Sequence, residues 1–341
     1  MLVKKEEISS PLPIYTKEDF LNYGNRLHIN IIIDIIVNGF AAYIVLKHST
    51  KTMGIYKYYI LSTIVCAFLL DFHLTVIYGP LALIPTPVTC SAGVVARNFN
   101  AFWGNAIQWA TIQSLFAITG GSIMCGFFYQ WASLQGNVEF FHSIKGVIIL
   151  ISASILYPLP SITLFFISYD HEGSKVYVKE EYPQFYDLYI SVPCSATKTN
   201  LLGASQFLAI IVEVLAIFIV GIIIARKIGK KIDSMKHMLS PSTLKARKQL
   251  LISLACQAII PSGLLVAPVI MLFVGILLEI AQLNVMSQLI VPMIAFHSTA
   301  NALSIIYVIT PYRKAVIRGF KTIVGIKSET KTIIINSTVI L

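Results

Sequence analysis

Seven long apolar segments constrain the fold of this chain more than any other feature. They lie at 28–47, 59–80, 102–129, 146–168, 203–225, 249–279 and 286–310. Each reaches or exceeds the ~20 residues that an α-helix needs to cross the hydrocarbon core of a bilayer. Backbone polar groups cannot remain unpaired in lipid, so such segments are expected to be helices. The sequence therefore predicts an all-α membrane protein built as a bundle of seven transmembrane helices.

Composition leaves little room for a separate soluble domain. Of the 341 residues, 56% are hydrophobic and 12% are charged, values that soluble domains rarely combine. We predict an amino-terminal segment (1–27), a transmembrane domain (28–310) and a tail (311–341) that begins with an amphipathic helix. This organisation limits the function to that of a receptor, channel, transporter or membrane enzyme.

Basic residues are concentrated on one side of the predicted bundle. The first, third and fifth connections together with the tail carry 18 of the 26 Lys and Arg residues, and the other side carries eight. By the positive-inside rule, the amino terminus is expected outside and the tail in the cytoplasm. The net charge of +10 therefore indicates membrane topology and contact with the lipid bilayer, and we expect no nucleic-acid partner. In the tail, Lys314, Arg318 and Lys321 fall opposite an apolar side, Ala315, Val316, Phe320, Ile323 and Val324, as in a helix lying on an anionic leaflet.

Five acidic or histidine residues lie in the interior of the predicted helices, away from their ends. They are Asp34, Asp71, His73, Glu213 and His297. Placing a charge there costs at least ~2.5 kcal/mol, so such residues usually face the interior and have partners. Asp71 and His73 are two residues apart and should point to different faces of their helix. We predict that the five form an interior polar network, and the alternative is that they only hold helices together.

No catalytic or metal-binding motif is present. The sequence lacks His-Glu-x-x-His, Cys-x-x-Cys, a phosphate-binding Gly-Lys-Ser/Thr and a Gly-x-Ser-x-Gly elbow. We therefore expect no enzyme activity, no catalytic residue, no metal and no cofactor. Helix six contains Pro261 and Pro268, and proline removes a backbone hydrogen bond and kinks a helix. These two residues are predicted bending points of a moving helix, although a static bend is an equal alternative.

Several short strings occur in a characteristic order and spacing. They are Lys51-Thr52-Met53-Gly54-Ile55-Tyr56-Lys57-Tyr58-Tyr59, then Leu70-Asp71-Phe72-His73-Leu74-Thr75 followed by Pro80 and Pro85, then Gln257, Pro261 and Pro268, then His297-Ser298-Thr299, and Thr310-Pro311-Tyr312-Arg313-Lys314. Together they resemble the nematode serpentine chemoreceptors, most closely class H, with class I as a near relative in the Str superfamily. The chain departs from class H at the end of helix three, where those receptors tend to carry an acidic and a basic residue. Here the sequence is Phe127-Phe128-Tyr129-Gln130-Trp131.

The resemblance implies a G-protein-coupled receptor in the plasma membrane of ciliated chemosensory neurons. Its partners would be a small extracellular ligand, bound between helices three, five, six and seven, and a heterotrimeric G protein; pairing with a second receptor is left open. The fifth connection is the largest on the cytoplasmic side, and its basic residues exceed what topology needs. The predicted G-protein surface comprises Lys227, Lys230, Lys231, Arg247, Tyr312 and Arg313. Attraction to anionic lipid is the alternative role of these basic residues.

Two cysteines, Cys90 and Cys194, lie in connections predicted to be outside, where oxidation is expected. Rhodopsin-like receptors commonly join these two connections by a disulfide, so we predict a Cys90–Cys194 bond. Two unpaired cysteines are the alternative, because disulfide geometry is demanding.

The rival functions are those of a seven-helix ligand-gated channel or a small-molecule transporter. Insect odorant receptors also have seven helices but place the amino terminus inside, which the charge distribution here opposes. A transporter should show internal repeats and unwound helices, and neither is visible in the sequence. The sequence therefore favours the receptor.

Overall fold

The computed structural model describes residues 16–50, 53–198, 200–278, 280 and 283–323. Seven of the helices in this part of the chain are long and apolar enough to cross a membrane. Six are α1 (Lys17–His48), α2 (Tyr56–Tyr78), α3 (Phe102–Gln135), α4 (Ile144–Ser168), α5 (Leu201–Ser234) and α6 (Pro241–Leu277), and the seventh, α7, has two parts, Leu283–Ala295 and His297–Val308. A further helix, α8 (Thr310–Ile323), follows. The predicted seven-helix bundle is confirmed.

Helix α1 begins earlier than its apolar segment predicts. Thr16 caps it, because its hydroxyl accepts a hydrogen bond from the Asp19 backbone N–H at 3.1 Å. The segment 17–27, expected to be extracellular chain, is therefore helical. Phe20, Tyr23 and Leu27 are buried on one face of this extension, and their three- and four-residue spacing matches an α-helix. Packing inside the protein, and not lipid, thus stabilises the first turns.

The basic fifth connection is also mostly helical. Helix α5 continues to Ser234 and α6 starts at Pro241, so only 235–240 connect them. The sequence places this boundary at 226 because the charges end the apolar run there. In the structure, Ile228 and Ile232 are buried in the core at this end of the bundle, so an amphipathic extension of α5 is stabilised beyond the apolar segment.

Three helices contain π-helical segments, and two are interrupted. The π-helical segments are His73–Tyr78 in α2, Phe102–Ala106 in α3 and Ser262–Val266 in α6. The α6 segment directly follows Pro261, whose ring prevents the regular hydrogen-bond pattern. Helix α4 is interrupted at Pro158, between Leu156 and Leu159, and α7 at Phe296. Such departures are common at functional sites, and here they adjoin the cavity and the polar cluster described below.

One end of the bundle is covered by a small antiparallel sheet. Its strands are β1 (Pro80–Ala82), β2 (Val88–Ser91) and β3 (Cys194–Ala196), in the order β1-β2-β3. The connection after α4 forms two short helices, His171–Glu181 and Tyr186–Ser191. Val178, Phe185 and Leu188 of this connection are buried in one core with Phe20 of α1. The connection after α4 is therefore a packed cover over this end of the bundle.

The two ends of the bundle differ in the elements that they contain. The sheet end carries β1–β3, where the Tyr23 hydroxyl donates to the Pro80 carbonyl at 2.8 Å. The basic end carries the junctions α5–α6 and α7–α8, where the Ser49 and Tyr312 hydroxyls lie 2.7 Å apart. Helix α1 contacts both ends, so they lie on opposite sides of the span.

The apolar residues of helix α8 lie in two different environments, buried and exposed. Tyr312 and Ala315 are buried against the bundle, whereas Phe320 and Ile323 are exposed, and Val324 lies outside the described residues. Tyr312 is 0% exposed, and its burial raises the pKa of its hydroxyl. The expectation that Tyr312 lies on an exposed inner surface is therefore wrong, because this ring fills the space between α1 and α8.

Candidate functional site

A cavity lies beneath the sheet among α2, α3, α4, α5, α6 and α7. Its volume is about 150 Å³. The wall is mainly hydrocarbon and aromatic, and it includes Trp109, Phe116, Phe165, Phe207 and Phe273. Pockets of this kind, apolar with a few convergent polar groups, are the usual sites for small molecules. The cavity is therefore the candidate ligand site, here called the sheet-end cavity.

Helical spacing brings the polar residues of this cavity into its wall. On α3, Trp109, Gln113 and Ala117 recur every four residues and all line it. On α5, Gln206, Ile210 and Val214 do the same. Residues four apart share one face of an α-helix, so each helix presents one continuous strip to the ligand space. The two strips place one glutamine of each helix in the wall of the cavity.

Both glutamine side chains are buried without hydrogen-bond partners among the described residues. The unpartnered atoms are Nε2 and Oε1 of Gln113 and Nε2 and Oε1 of Gln206. Gln206 is 0% exposed and Gln113 is 9% exposed. The Trp109 Nε1 and Thr197 Oγ1 atoms, in the same wall, also lack partners in that part of the chain. A buried polar group without a partner costs about 1–3 kcal/mol, so these groups are available to a ligand.

A second, deeper cavity of about 290 Å³ adjoins the first. The two share Phe116, Val214, Ile217 and Leu265 in their walls. Pro261 and Val266 line the second cavity, and Leu265 belongs to the π-helical segment of α6. A molecule that fills either cavity therefore touches the irregular part of α6.

Glu213 lines the sheet-end cavity but is already engaged by α4. Its carboxylate accepts hydrogen bonds from the Ser161 hydroxyl at 2.8 Å and from the Ser161 backbone N–H at 3.2 Å. The backbone N–H is free to donate because Ser161 lies in the first turn after the break at Pro158. Glu213 is thus tied to α4 and takes no part in the buried cluster of α1, α2 and α7.

That buried cluster, here called the polar cluster, joins Asp34, Asn38, Asp71, His297, Ser298 and Thr299. The Nδ1 atom of His297 lies 2.8 Å from Asp71 Oδ1, and both side chains are 0% exposed. The Ser298 backbone N–H donates to Asp71 Oδ2 at 3.2 Å. Since the second part of α7 starts at His297, Asp71 occupies the positive amino-terminal end of a helix, which favours an anion.

Asp34 connects α1 to the same turn of α7. Its Oδ1 atom accepts hydrogen bonds from the hydroxyls of Ser298, at 3.2 Å, and Thr299. Asn38 donates from Nδ2 to the Ser298 hydroxyl at 3.1 Å. Residues just after the interruption of α7 at Phe296 therefore donate hydrogen bonds to two carboxylates, Asp34 of α1 and Asp71 of α2.

His73 is separate from the polar cluster. Its Nε2 atom lies 3.0 Å from Oε1 of Gln108 on α3. The prediction that Asp71 and His73 face different partners is thus confirmed. The single network predicted for all five ionisable residues is wrong, because the helices separate them into the polar cluster, the His73–Gln108 pair and the Glu213–Ser161 pair.

Cys90 and Cys194 are joined by a disulfide between neighbouring strands. Asn105 at the start of α3 secures the same strands: its Nδ2 donates to the Ser91 hydroxyl at 2.7 Å, and its Oδ1 accepts from the Ser195 hydroxyl. The disulfide and Asn105 together hold the sheet over the cavity. The role of Asn105 was missed in the sequence, where a single buried asparagine gives no signal.

The residues of the predicted G-protein surface differ in accessibility. Lys227 and Lys230 are exposed, while Lys231, Arg247 and Arg313 are half-buried. Arg247 donates from Nη1 to the Ser133 hydroxyl at 2.9 Å, so it ties α6 to α3. Arg313 donates to the Tyr307 carbonyl at 3.1 Å. Within the predicted G-protein surface, the exposed positive charges are therefore the two on the α5 extension, Lys227 and Lys230.

Aromatic packing occupies the end of α3, where the sequence departs from the class H pattern. The Tyr129 ring stacks on Tyr56 with centroids 5.9 Å apart and contacts Tyr59 at 5.0 Å. Phe141, after α3, meets Tyr129 edge-on at 5.8 Å. This end of α3 is thus held by ring contacts to α2 rather than by an ion pair.

The cavity glutamines were also missed at the sequence level. Gln113 and Gln206 each lie inside an apolar helix, and their isolation in such segments is the one signal that could have found them. Within the described residues, no group of three or more His, Cys, Asp or Glu side chains could hold a metal ion.

Comparison with protein-family models identifies the family of this chain. A family model described as "Serpentine type 7TM GPCR chemoreceptor Srh" matches residues 18–322. A search of curated proteins finds no match for this chain. The matched range includes all of α1 except Lys17, the other six spanning helices, the sheet and all of α8 except Ile323.

Proposed function

The chain belongs to the Srh family of serpentine-type seven-transmembrane GPCR chemoreceptors, and from this premise we propose that it binds a small extracellular ligand and activates a heterotrimeric G protein. The observation that carries the proposal is the sheet-end cavity, lined by helices and roofed by a disulfide-linked sheet. We further propose that the sheet end faces outside and that the receptor lies in the plasma membrane of sensory cilia, where its family role would require it.

The contacts of α6 support a mechanism for signalling. Leu265, in the π-helical segment after Pro261, touches both cavities. A ligand that packs better against one geometry of this segment stabilises one arrangement of the bundle and shifts the population towards it. Pro261 lies directly at the irregular segment and Pro268 follows in the next part of α6, so both remain proposed bending points. The response would reach the basic end through the first part of α6, whose Arg247 contacts α3.

The proposed orientation is tested by the accessibility of the two termini. An epitope inserted at residue 5 is expected to be stained on intact cells, and one at residue 335 only after permeabilisation. The 18-to-8 distribution of basic residues is the physical reason. The opposite staining pattern would reject the receptor and favour the ligand-gated channel.

The proposed G-protein surface is tested by removing charge from the α5 extension. Replacing Lys227, Lys230 and Lys231 with Gln is expected to abolish ligand-evoked signalling, since these side chains would meet acidic groups on the G protein and speed association. Ligand binding and surface level should stay unchanged, because the three side chains lie far from the cavity and form no ion pair that the structure records. Signalling is measured by cAMP and calcium reporters.

A matched control removes the same number of lysines at the sheet end. Lys175, Lys179 and Lys198 lie in the cover, and their replacement with Gln should leave coupling to the G protein intact. If the α5 variant signals at full strength, its lysines only attract anionic lipid. The coupling surface would then have to lie around the α3–α4 connection, between Gln130 and Lys145.

A further inference from the structure

The two glutamines of the sheet-end cavity indicate what kind of molecule it accepts. Gln113 and Gln206 together present two N–H₂ donors and two carbonyl acceptors, and none of these atoms has a partner among the described residues. An amide is satisfied only by a partner that both donates and accepts. Two amides on two different helices therefore fit a ligand group with both capacities, such as a hydroxyl or a primary amide.

The remainder of the wall sets the size and polarity of the ligand body. Seven aromatic side chains line the cavity, and its volume is about 150 Å³. An apolar cavity of this size holds one benzene ring. The body of the ligand should thus be a hydrocarbon of about that size.

The charges around the cavities favour an uncharged ligand. No Lys, Arg or His lies among the described residues that line either cavity, so an anion would be buried without a counter-charge. Glu213 is the one acidic side chain in these walls. Both of its oxygens already accept hydrogen bonds from Ser161, so a cationic amine would compete with α4 for the carboxylate.

We propose that the ligand is an uncharged small molecule with a hydrocarbon body of about one benzene ring and one donating-and-accepting group, held between Gln113 and Gln206. This inference rests on the proposed function, in that it takes the sheet-end cavity as the ligand site. The glutamines select the polar group, and the aromatic wall contributes most of the apolar contact.

The test compares four probes that share one ring: benzamide, toluene, benzoate and benzylammonium. Binding to the full-length protein in nanodiscs is measured by ligand-observed NMR, with the signal from empty nanodiscs subtracted. Benzamide is expected to bind at least about tenfold more tightly than toluene, which corresponds to one or two hydrogen bonds gained. Benzoate and benzylammonium are expected to show no saturable binding.

The variants Gln113→Met and Gln206→Met keep the length of each side chain and remove its polar atoms. Each is expected to weaken benzamide binding about tenfold and to leave toluene binding unchanged. Gln135→Met, on the exposed last residue of α3, is the matched control and should change neither. If a cavity variant does not fold, the order of the four probes on the unaltered protein still decides the question.

Three results would overturn the inference: equal binding of benzamide and toluene, no binding of benzamide at all, or tightest binding of benzylammonium with its loss in Glu213→Gln. The assay contains no G protein, so its outcome is independent of coupling. Preference for benzamide in a protein that never activates a G protein would sustain the ligand class and reject the proposed signalling. A signalling response to charged odorants alone would support the proposed signalling and reject the proposed ligand class.

Discussion

Asp71→Ala should reduce the stability of the receptor by about 3–5 kcal/mol, the usual cost of removing one partner of a buried charged pair. His297 would keep its Nδ1 position without the carboxylate oxygen that now lies 2.8 Å away, and the Ser298 backbone N–H would lose its acceptor. Asp71→Asn should cost less, since the amide oxygen can still accept from Ser298. Thermal inactivation of the purified receptor measures both changes.

The same substitutions test whether the polar cluster sets the balance between inactive and active states. Because Asp71 lies where α2 meets the interruption of α7, Asp71→Asn is expected to shift basal signalling or ligand potency at normal surface level. His297→Ala is expected to shift the same quantities when signalling is normalised to the receptor present at the surface. Glu180→Ala is the control: this glutamate is exposed on the connection after α4 at the sheet end, away from both the polar cluster and the basic end. Unchanged dose–response curves for both cluster variants would assign the cluster to helix packing alone.

Cys194→Ser is expected to eliminate most cell-surface receptor. The disulfide to Cys90 closes a loop with a sequence separation of 104 residues, and loops of that length correspond to about 4.7 kcal/mol of stabilisation in the chain-entropy treatment. That value is an upper bound here, because inserted helices already restrict the unfolded chain. Losing the bond should also loosen β3 from β2 and open the roof of the cavity. Surface biotinylation and ligand binding measure the two effects.

The control for this variant is Cys256→Ser. Cys256 is a half-buried free thiol in α6, so its replacement tests the loss of a cysteine without the loss of a disulfide, and surface level should remain normal. Wild-type surface level of Cys194→Ser, or mass spectrometry showing free thiols at both Cys90 and Cys194 in the mature protein, would contradict the prediction.

Much of the architecture could be predicted because membrane insertion depends on local hydrophobicity. A run of apolar residues identifies a spanning helix without knowledge of its neighbours. Because this prediction uses only the hydrophobicity of neighbouring residues, it misplaces the helix ends. The first turns of α1 and the extension of α5 are polar by composition and are helical because Phe20 and Ile232 pack into cores. The strands were missed because three or four residues show too little alternation to be recognised.

For the buried polar residues, by contrast, the partners depend on contacts that are distant in the chain. The free-energy cost of burying Asp34, Asp71 and His297 could be inferred from their position in apolar segments. Their hydrogen-bond partners could not be inferred in this way. Asp71 and Ser298 are separated by 227 residues in the chain. Glu213 shows the same depth and residue class as the two aspartates, and yet it is engaged by Ser161 on a different helix.

The sequence by itself determined the membrane class, the number of spans, the uneven distribution of basic residues and the resemblance to the chemoreceptor family, because each of these depends on residues close together in the chain. Only the tertiary structure decided which helices share a polar cluster, how the sheet covers the bundle, that Tyr312 is interior and that two lone glutamines face one cavity. Those features depend on the rotation and register of each helix against the others, and hydrophobicity alone leaves both undetermined, since an apolar helix can turn any of its faces inward.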